Sequence, residues 1–438
     1  MKSLIERDQK VVWHPYTQHG RGTLPIAIKS AQGATLNLED GSTLLDAISS
    51  WWVNIHGHSH PKIASAIAEQ AGRLEHAIFA GFTHEPAVKL AEILIGATSQ
   101  SGANLSRVFY SDNGSTAVEV ALKMAYQYHQ LQGVTGAGAR SRFLALNHSY
   151  HGDTFGAMAV SEPTSFHERF QPLLTTVDFV EPGDLAQLEM TISQSPEAYC
   201  AMIIEPLVQG AAGMKMYSAS YLREVARLCS EYKILLICDE VFTGFYRTGK
   251  LFAFEHAGIQ PDLICLSKGL TGGFMPLSAT LATEQIFEAF LSSDISRAFL
   301  HGHSYTANPL ACAAAIASWE LLQSPSCLKR IGEITSITEK RITQINLKLR
   351  AHGLPPSGRF LGTIGAIELP LGSAKSQAYG SELGERIKLF TKKRGVLLRP
   401  LGNVLYSLPP YCITNDELEA IYTVIDDVFE QFLIISGT

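Results

Sequence analysis

The sequence predicts an α/β fold in two parts. One is a large domain with a mostly parallel central sheet over roughly 51–325; the other is a smaller α+β domain assembled from 1–50 and 326–438. Three observations carry that prediction. Short, continuous apolar runs recur through the middle of the chain and stop at charged residues, as strands buried on both faces do. Two of these runs are separated by a helical stretch, giving strand, helix and strand over about forty residues, the span of a βαβ unit. From about 326 onward the texture changes to a long charged helix, isolated strand-like segments and a final amphipathic helix.

In chain order, Arg107-Val108-Phe109-Tyr110 reads as a strand, Ser111-Asp112-Asn113-Gly114-Ser115 as a turn, and the residues from Thr116 as a helix with apolar positions at Val118, Ala121, Leu122 and Ala125. A short glycine-bearing loop follows at 133–138. Ala201-Met202-Ile203-Ile204 runs into Glu205, and Ile234-Leu235-Leu236-Ile237-Cys238 runs into Asp239. Between them, Tyr221, Leu222, Val225 and Leu228 mark one face of a helix capped by Ser218 or Ser220. Leu263-Ile264-Cys265-Leu266 is a third strand, followed by Lys268 and then Gly269, Gly272 and Gly273. In the last part a charged helix is expected over 331–349, strands near 363–369 and 396–398, and a helix from about Asp416.

Composition narrows the classes. Of 438 residues, 46% are hydrophobic and 17% charged, values of an ordinary globular enzyme. A net charge of −6 without a basic stripe argues against nucleic acid as a partner. No apolar run has the length of a membrane span, and residues 1–8 lack the apolar core of a signal peptide. Seven cysteines, an odd number and several of them inside apolar runs, suggest reduced core thiols and a cytoplasmic location. No CxxC pair is present to hold zinc.

Open parallel sheets bind ligands beyond the carboxyl ends of their strands. Glu205, Asp239 and Lys268 are therefore expected to face one crevice. A single lysine is ordinarily a surface residue and a single carboxylate ordinarily a cap, but three at strand ends form a pattern. A lysine at the end of a core strand has its pKa lowered by burial, which makes it a nucleophilic amine suited to a Schiff base. The turn at 111–115 aims free N–H groups and a helix dipole at one point, with Gly114 allowing close approach and Ser115 adding a hydroxyl, as a phosphate site requires. A plain helix cap uses the same residue types, and neither a GK[ST] nor a GxGxxG pattern is present. A phosphate site, a Schiff-base lysine and a strand-end aspartate for a pyridinium nitrogen together describe pyridoxal 5′-phosphate (PLP). A rival reading, a metal hydrolase on His56, His58 and His60, has alternating histidines in its favour but no nearby carboxylate.

Asp239-Glu240-Val241, the Lys268 segment, the 111–115 turn and Tyr150-His151-Gly152 resemble the class III aminotransferases, which have PLP fold type I; the resemblance covers nearly the whole chain. It implies that Lys268 bonds to PLP and shuttles protons, that Asp239 meets the pyridine nitrogen, and that Val241 and Tyr150 take opposite ring faces. Gly114 and Ser115 would hold the phosphate, and Glu205 would lie nearby in support. A neighbouring subunit would reach the phosphate through His301-Gly302-His303-Ser304, so the resemblance implies a homodimer with shared active sites. Trp13-His14-Pro15-Tyr16-Thr17, Ser49-Ser50-Trp51-Trp52, Arg399-Pro400 and Tyr406-Ser407-Leu408-Pro409-Pro410-Tyr411 are most similar to members acting on 8-amino-7-oxononanoate in biotin synthesis. That implies this acceptor, with S-adenosyl-L-methionine as the expected amino donor. Lysine as donor, or an ornithine- or diamine-type ω-transamination, is the alternative.

Tyr16, Trp51 and Trp52 would form an apolar wall for the long acceptor, beside Tyr150, Gly302 and Tyr406. Arg399, and second to it Arg247, would offer a guanidinium fork to a carboxylate, although either suits a structural salt bridge. Three positions depart from the family pattern: His303-Ser304 stands where many members have Pro-Thr, Tyr246 where a glycine is common, and Leu401 where an aromatic is common. These put the amino donor in doubt more than the acceptor.

Overall fold

The computed structural model describes residues 2–132, 140–162, 167–369 and 380–434; the loop expected at 133–138 lies outside the described residues. Strands β1 (Ile28–Gln32), β2 (Thr35–Leu38) and β3 (Thr43–Asp46) lead the chain. The middle holds β4 (Arg107–Ser111), β5 (Arg142–Leu146), β6 (Val177–Val180), β7 (Tyr199–Ile204), β8 (Val208–Gln209), β9 (Lys215–Met216), β10 (Leu235–Asp239), β11 (Leu263–Leu266) and β12 (Ser278–Ala282). The last are β13 (Gly358–Leu361), β14 (Ile364–Glu368), β15 (Val396–Leu397) and β16 (Val404–Ser407).

A seven-stranded sheet in the order β4-β12-β11-β10-β7-β5-β6 forms the centre. Neighbours from β11 through to β6 pair in parallel. Strand β12 runs antiparallel to both β11 and β4. The two reversals cancel, so β4 points the same way as β7, β10 and β11, and its carboxyl end falls on the same edge as theirs. Every residue of β7, β10, β11 and β12 is buried, which explains why three of these strands read as unbroken apolar runs. Strand β12, Ser-Ala-Thr-Leu-Ala, lacks that texture and gave no such signal.

Helix Ala219–Glu231 connects β7 to β10, with Ser218 Oγ accepting from Tyr221 N at 3.1 Å. Helix Gly114–Leu131 starts two residues before the expected point because Asn113, not Ser115, is its cap. The Asn113 side chain accepts from Thr116 N while Thr116 Oγ1 accepts from Asn113 N, a reciprocal box. Helix Pro325–Ala351 likewise begins earlier than expected, capped by Ser324 with proline in its first turn. Helix Asn415–Phe429 starts at the expected place, boxed by Thr414 and Glu417. Strand β3 pairs in parallel with β15, Leu45 opposite Val396, so the start of the chain and its last part share one sheet.

All seven cysteines are free thiols. Among the described residues, no helix is long and apolar enough to cross a membrane. One buried carboxyl lies behind the sheet edge. Glu240 has 0% exposure, accepts from Phe254 N at 2.9 Å and Thr243 Oγ1 at 2.5 Å, and is pushed up to about 7, chiefly by burial.

Because the Glu240 carboxyl holds its proton to about pH 7 when folded and only to the ordinary value of 4.5 when unfolded, the folded chain binds more protons across that window. Its contribution to stability is full below pH 4.5 and is lost as pH rises through 7. Urea unfolding of wild type and Glu240→Gln at several pH values should show a steeper decline for wild type between those limits, by up to about 1.4 kcal/mol per pH unit. Equal slopes would contradict the buried-carboxyl account.

Candidate active site

The shared strand edge opens onto a cavity of about 970 Å³. Asp239, the last residue of β10, brings a side chain only 5% exposed to its floor. Its Oδ2 accepts from His151 Nδ1 at 2.7 Å and its Oδ1 from Val241 N at 3.0 Å. That contact fixes the His151 proton on Nδ1 and leaves its buried Nε2 without a partner. Glu205, just past β7, is buried and ties two loops together, accepting from Tyr150 N at 3.0 Å and Gly210 N at 2.9 Å. Burial pushes its carboxyl up to about 7; Asp239 adds to the rise and His151 opposes it.

Lys268 begins a short 3₁₀ turn after β11 in the left-handed region, at φ 45°. It lines the cavity, its amine 4.5 Å from the Trp52 ring centroid and 5.7 Å from that of Phe242. Burial lowers its pKa to about 8; Asp239 and Glu205 pull it back and Arg247 lowers it further. A sizeable neutral fraction at neutral pH follows, which is what a carbonyl-capturing amine needs.

On the β4 side, Gly114 and Ser115 open the 18-residue helix Gly114–Leu131 at the cavity wall. The packing there leaves no room for larger residues: a Cβ on Gly114 would lie 2.7 Å from Val241 Cγ1, and one on Gly152 (φ +131°) 1.9 Å from Ser115 Oγ. Opposite stand three polar groups. Tyr150 Oη lies 3.1 Å from Tyr16 Oη and 3.0 Å from Asp153 Oδ2, which also accepts from Tyr16 Oη. Burial raises the Tyr150 phenol, and contacts with Tyr16 and Asp153 add to that. Burial would raise Asp153 as well, but contacts with His167, Tyr16 and Tyr150 outweigh it and hold the carboxyl below its ordinary value. The set fits PLP. It offers a helix N-terminus at a glycine cradle for phosphate, an oriented carboxylate for the ring nitrogen, Val241 and Tyr150 on the lining to flank a ring, and a lysine whose pKa is lowered to about 8.

The cavity brings together Gly114, Ser115, Tyr150, Glu205, Asp239, Val241, Lys268, Tyr16, Trp51 and Trp52. It does not include Gly302, His303 or Ser304 of the same subunit. Arg399 is not on the lining either; its guanidinium stacks on Trp51 at 4.3 Å. Tyr406 is buried away from the cavity, its Oη accepting from Trp52 Nε1 at 3.1 Å. Arg247 differs from the expected carboxylate fork. It is fully buried, donating to Pro409 O at 2.9 Å and Trp52 O at 3.3 Å, so its donors brace the backbone that carries Trp52. Sequence reasoning singled out His151 within Tyr150-His151-Gly152 without giving it a role, and missed Asp153, His167 and Phe242. Asp153 directly follows that segment, whereas nothing local marked His167. The three alternating histidines diverge: His56 bonds to Ser318, His58 to Asp46 and His60 to Lys62 N. Among the described residues no group of three or more His, Cys, Asp or Glu is placed to hold a metal.

Fold and site together define a PLP-dependent enzyme. Residues 16–429 match the family model for aminotransferase class III. The adenosylmethionine-8-amino-7-oxononanoate aminotransferase of Synechococcus elongatus is 48% identical over 436 residues, covering 96% of this chain and 98% of the relative. The protein of the same name from Nitratidesulfovibrio vulgaris is 40% identical, over 94% of this chain and 79% of the relative. Among solved structures, that aminotransferase from Methanocaldococcus jannaschii superposes with a TM-score of 0.88 at 35% identity, covering 97% of this chain and 98% of that one. A PLP-bound amine transaminase from an uncultivated Pseudomonas species gives 0.88 at 30% identity, covering 96% and 98%. The chain belongs to the class III aminotransferases and uses PLP.

Reconstitution of the PLP-free protein, followed by absorbance, should speed up with pH through about 8, where Lys268 is half neutral, and level off above it. A rate still rising through pH 10 would mean that the amine is not desolvated. Lys268→Ala should lose the borohydride-reducible yellow colour and the turnover together.

Proposed function

We propose that this enzyme transfers an amino group to 8-amino-7-oxononanoate, forming 7,8-diaminononanoate for biotin synthesis, with S-adenosyl-L-methionine as donor. The observation that carries this reading is the aromatic wall of Trp51, Trp52 and Tyr16 beside the Lys268 amine. A long alkyl chain gains about 0.8 kcal/mol for each methylene buried against such a surface. The shared name of the relatives from Synechococcus and Nitratidesulfovibrio supports the same acceptor.

When bound, PLP supplies an electron sink for the charge left on the donor carbon once its proton is removed. Gly114 and Ser115 would hold the phosphate, Asp239 would serve the ring nitrogen with His151 keeping its carboxylate oriented, and Val241 and Tyr150 would flank the ring. Lys268 Nζ would be the group that takes the proton from the donor carbon. General acid–base transfer of this kind contributes about 10²–10⁴ in rate. Trp52 and Phe242 flank Nζ and contribute to the burial that lowers its pKa to about 8. Glu205 positions the Tyr150 loop through the backbone. Arg399, stacked on Trp51, is the guanidinium assigned to a substrate carboxylate, and Arg247 braces Trp52 from behind. A second copy of the chain completes the phosphate site through Gly302, His303 and Ser304, giving a homodimer. Seven free thiols suit a cytoplasmic setting.

Incubation with 8-amino-7-oxononanoate and a donor panel of S-adenosyl-L-methionine, lysine, ornithine and a diamine, read by mass, should give the diamine product with the first donor. Product with lysine alone would replace the donor. No product with any donor would return the enzyme to a general ω-transaminase role. Initial rates should give parallel double-reciprocal lines. Trp51→Ala should raise the acceptor KM about tenfold, equivalent to about 1.4 kcal/mol.

A further inference from the structure

The segment that carries the two tryptophans follows an unusual path. Ser49, Ser50 and Trp52 have φ of 49°, 58° and 68°, all in the left-handed region, and none is glycine. L side chains rarely adopt that region, so the surrounding structure must hold them there. Several tethers act from outside the turn: Ser49 Oγ donates to Leu408 O at 2.8 Å, Arg247 Nη2 to Trp52 O at 3.3 Å and Trp52 Nε1 to Tyr406 Oη at 3.1 Å. One group holds the turn from within. Asp46, with 0% exposure, accepts from Ile48 N at 3.2 Å through Oδ1. Its Oδ2 accepts from Ser50 N at 2.7 Å, Ser50 Oγ at 3.0 Å and His58 Nε2 at 2.8 Å.

From this geometry we propose that Asp46, with His58 as its donor, is a positioning residue that sets the acceptor-binding wall. Asp46 ends β3 opposite Leu397 of β15, and two residues past Leu397 stands Arg399, stacked on Trp51. Both sides of the Trp51 contact therefore start from one strand pair. His58 is itself fixed, its backbone N donating to Gly33 O at 2.7 Å and its O accepting from Gly33 N at 3.1 Å. A buried carboxylate with four donors is satisfied at both oxygens, and loss of its charge leaves backbone donors poorly paired. Asp46 touches neither cofactor nor substrate; it acts through Trp51 and Trp52. The inference deepens the proposed function and rests on the reading of the tryptophans as an acceptor wall.

The test compares wild-type, Asp46→Asn and His58→Gln holoenzymes, each normalised to its borohydride-reducible PLP content. KM and kcat are measured for 8-amino-7-oxononanoate and for ketone acceptors of increasing chain length. Asp46→Asn should raise the long-acceptor KM about tenfold and flatten the dependence on chain length, with a smaller effect on the shortest accepted ketone. His58→Gln should change in the same direction by a smaller factor, and decides the matter if Asp46→Asn does not fold. An unchanged long-acceptor KM in the folded variants, with only active-site content or melting temperature reduced, would reduce Asp46 to a structural residue and overturn the proposal. Wild type that rejects oxononanoate would reject the acceptor reading instead. The chain-length series on other ketones then still reports on Asp46.

Discussion

Parallel pairing of β10 with β7 and β11 is the constraint from which the site follows. Side-by-side registry sets Ile237 against both Ile203 and Leu263, so the three strands end together and cannot slip without moving buried side chains to the wrong face. Their ends deliver a carboxylate, a second carboxylate and an amine to one rim. The doubly reversed pairing through β12 brings the β4 turn, with its helix N-terminus, to the same rim. Four groups of three chemical kinds arrive from distant points in the chain because the backbone ladder aligns their strands.

Within that rim the electrostatics are closely balanced. Removing the Lys268 amine from water favours its neutral form, while Asp239 and Glu205 favour the charged one. Were Glu205 fully ionised at every working pH, the amine would be held more firmly as ammonium. Its own desolvation, which brings its carboxyl to about 7, weakens that pull. Asp239 instead meets His151, with Nδ1 2.7 Å from its Oδ2. The two acidic groups at adjacent strand ends thus differ in partner, Asp239 meeting a histidine side chain and Glu205 the backbone N–H groups of Tyr150 and Gly210.

Much of the rim was legible in the sequence because its physical cause is local. An unbroken run such as Ile234 to Cys238 announces a buried strand, and the charged residue that ends it announces an edge. The start of helix Gly114–Leu131 was misplaced by two residues because the boxing role of Asn113 with Thr116 looks, in one dimension, like more turn. What could not be read were partnerships made across the fold. His151 meets Asp239 from 88 positions away, and Tyr16 meets Asp153 from 137. Arg247 offered a guanidinium and no hint that Pro409 and Trp52 carbonyls would claim it. Strand β12, poor in branched residues, is identified by its neighbours alone.

The proposed cofactor grip and the proposed substrate wall are rooted in different sheets. Lys268, Asp239 and Glu205 hang from the central sheet, whereas Trp51 is presented by residues that follow β3 and is met by Arg399, which follows β15. Divergence can therefore act on one without disturbing the other. A lineage of such chains could exchange its ketone by re-laying a few residues after β3 while its chemistry stays intact, and substrate range in such a scaffold becomes a peripheral trait mounted on an invariant engine.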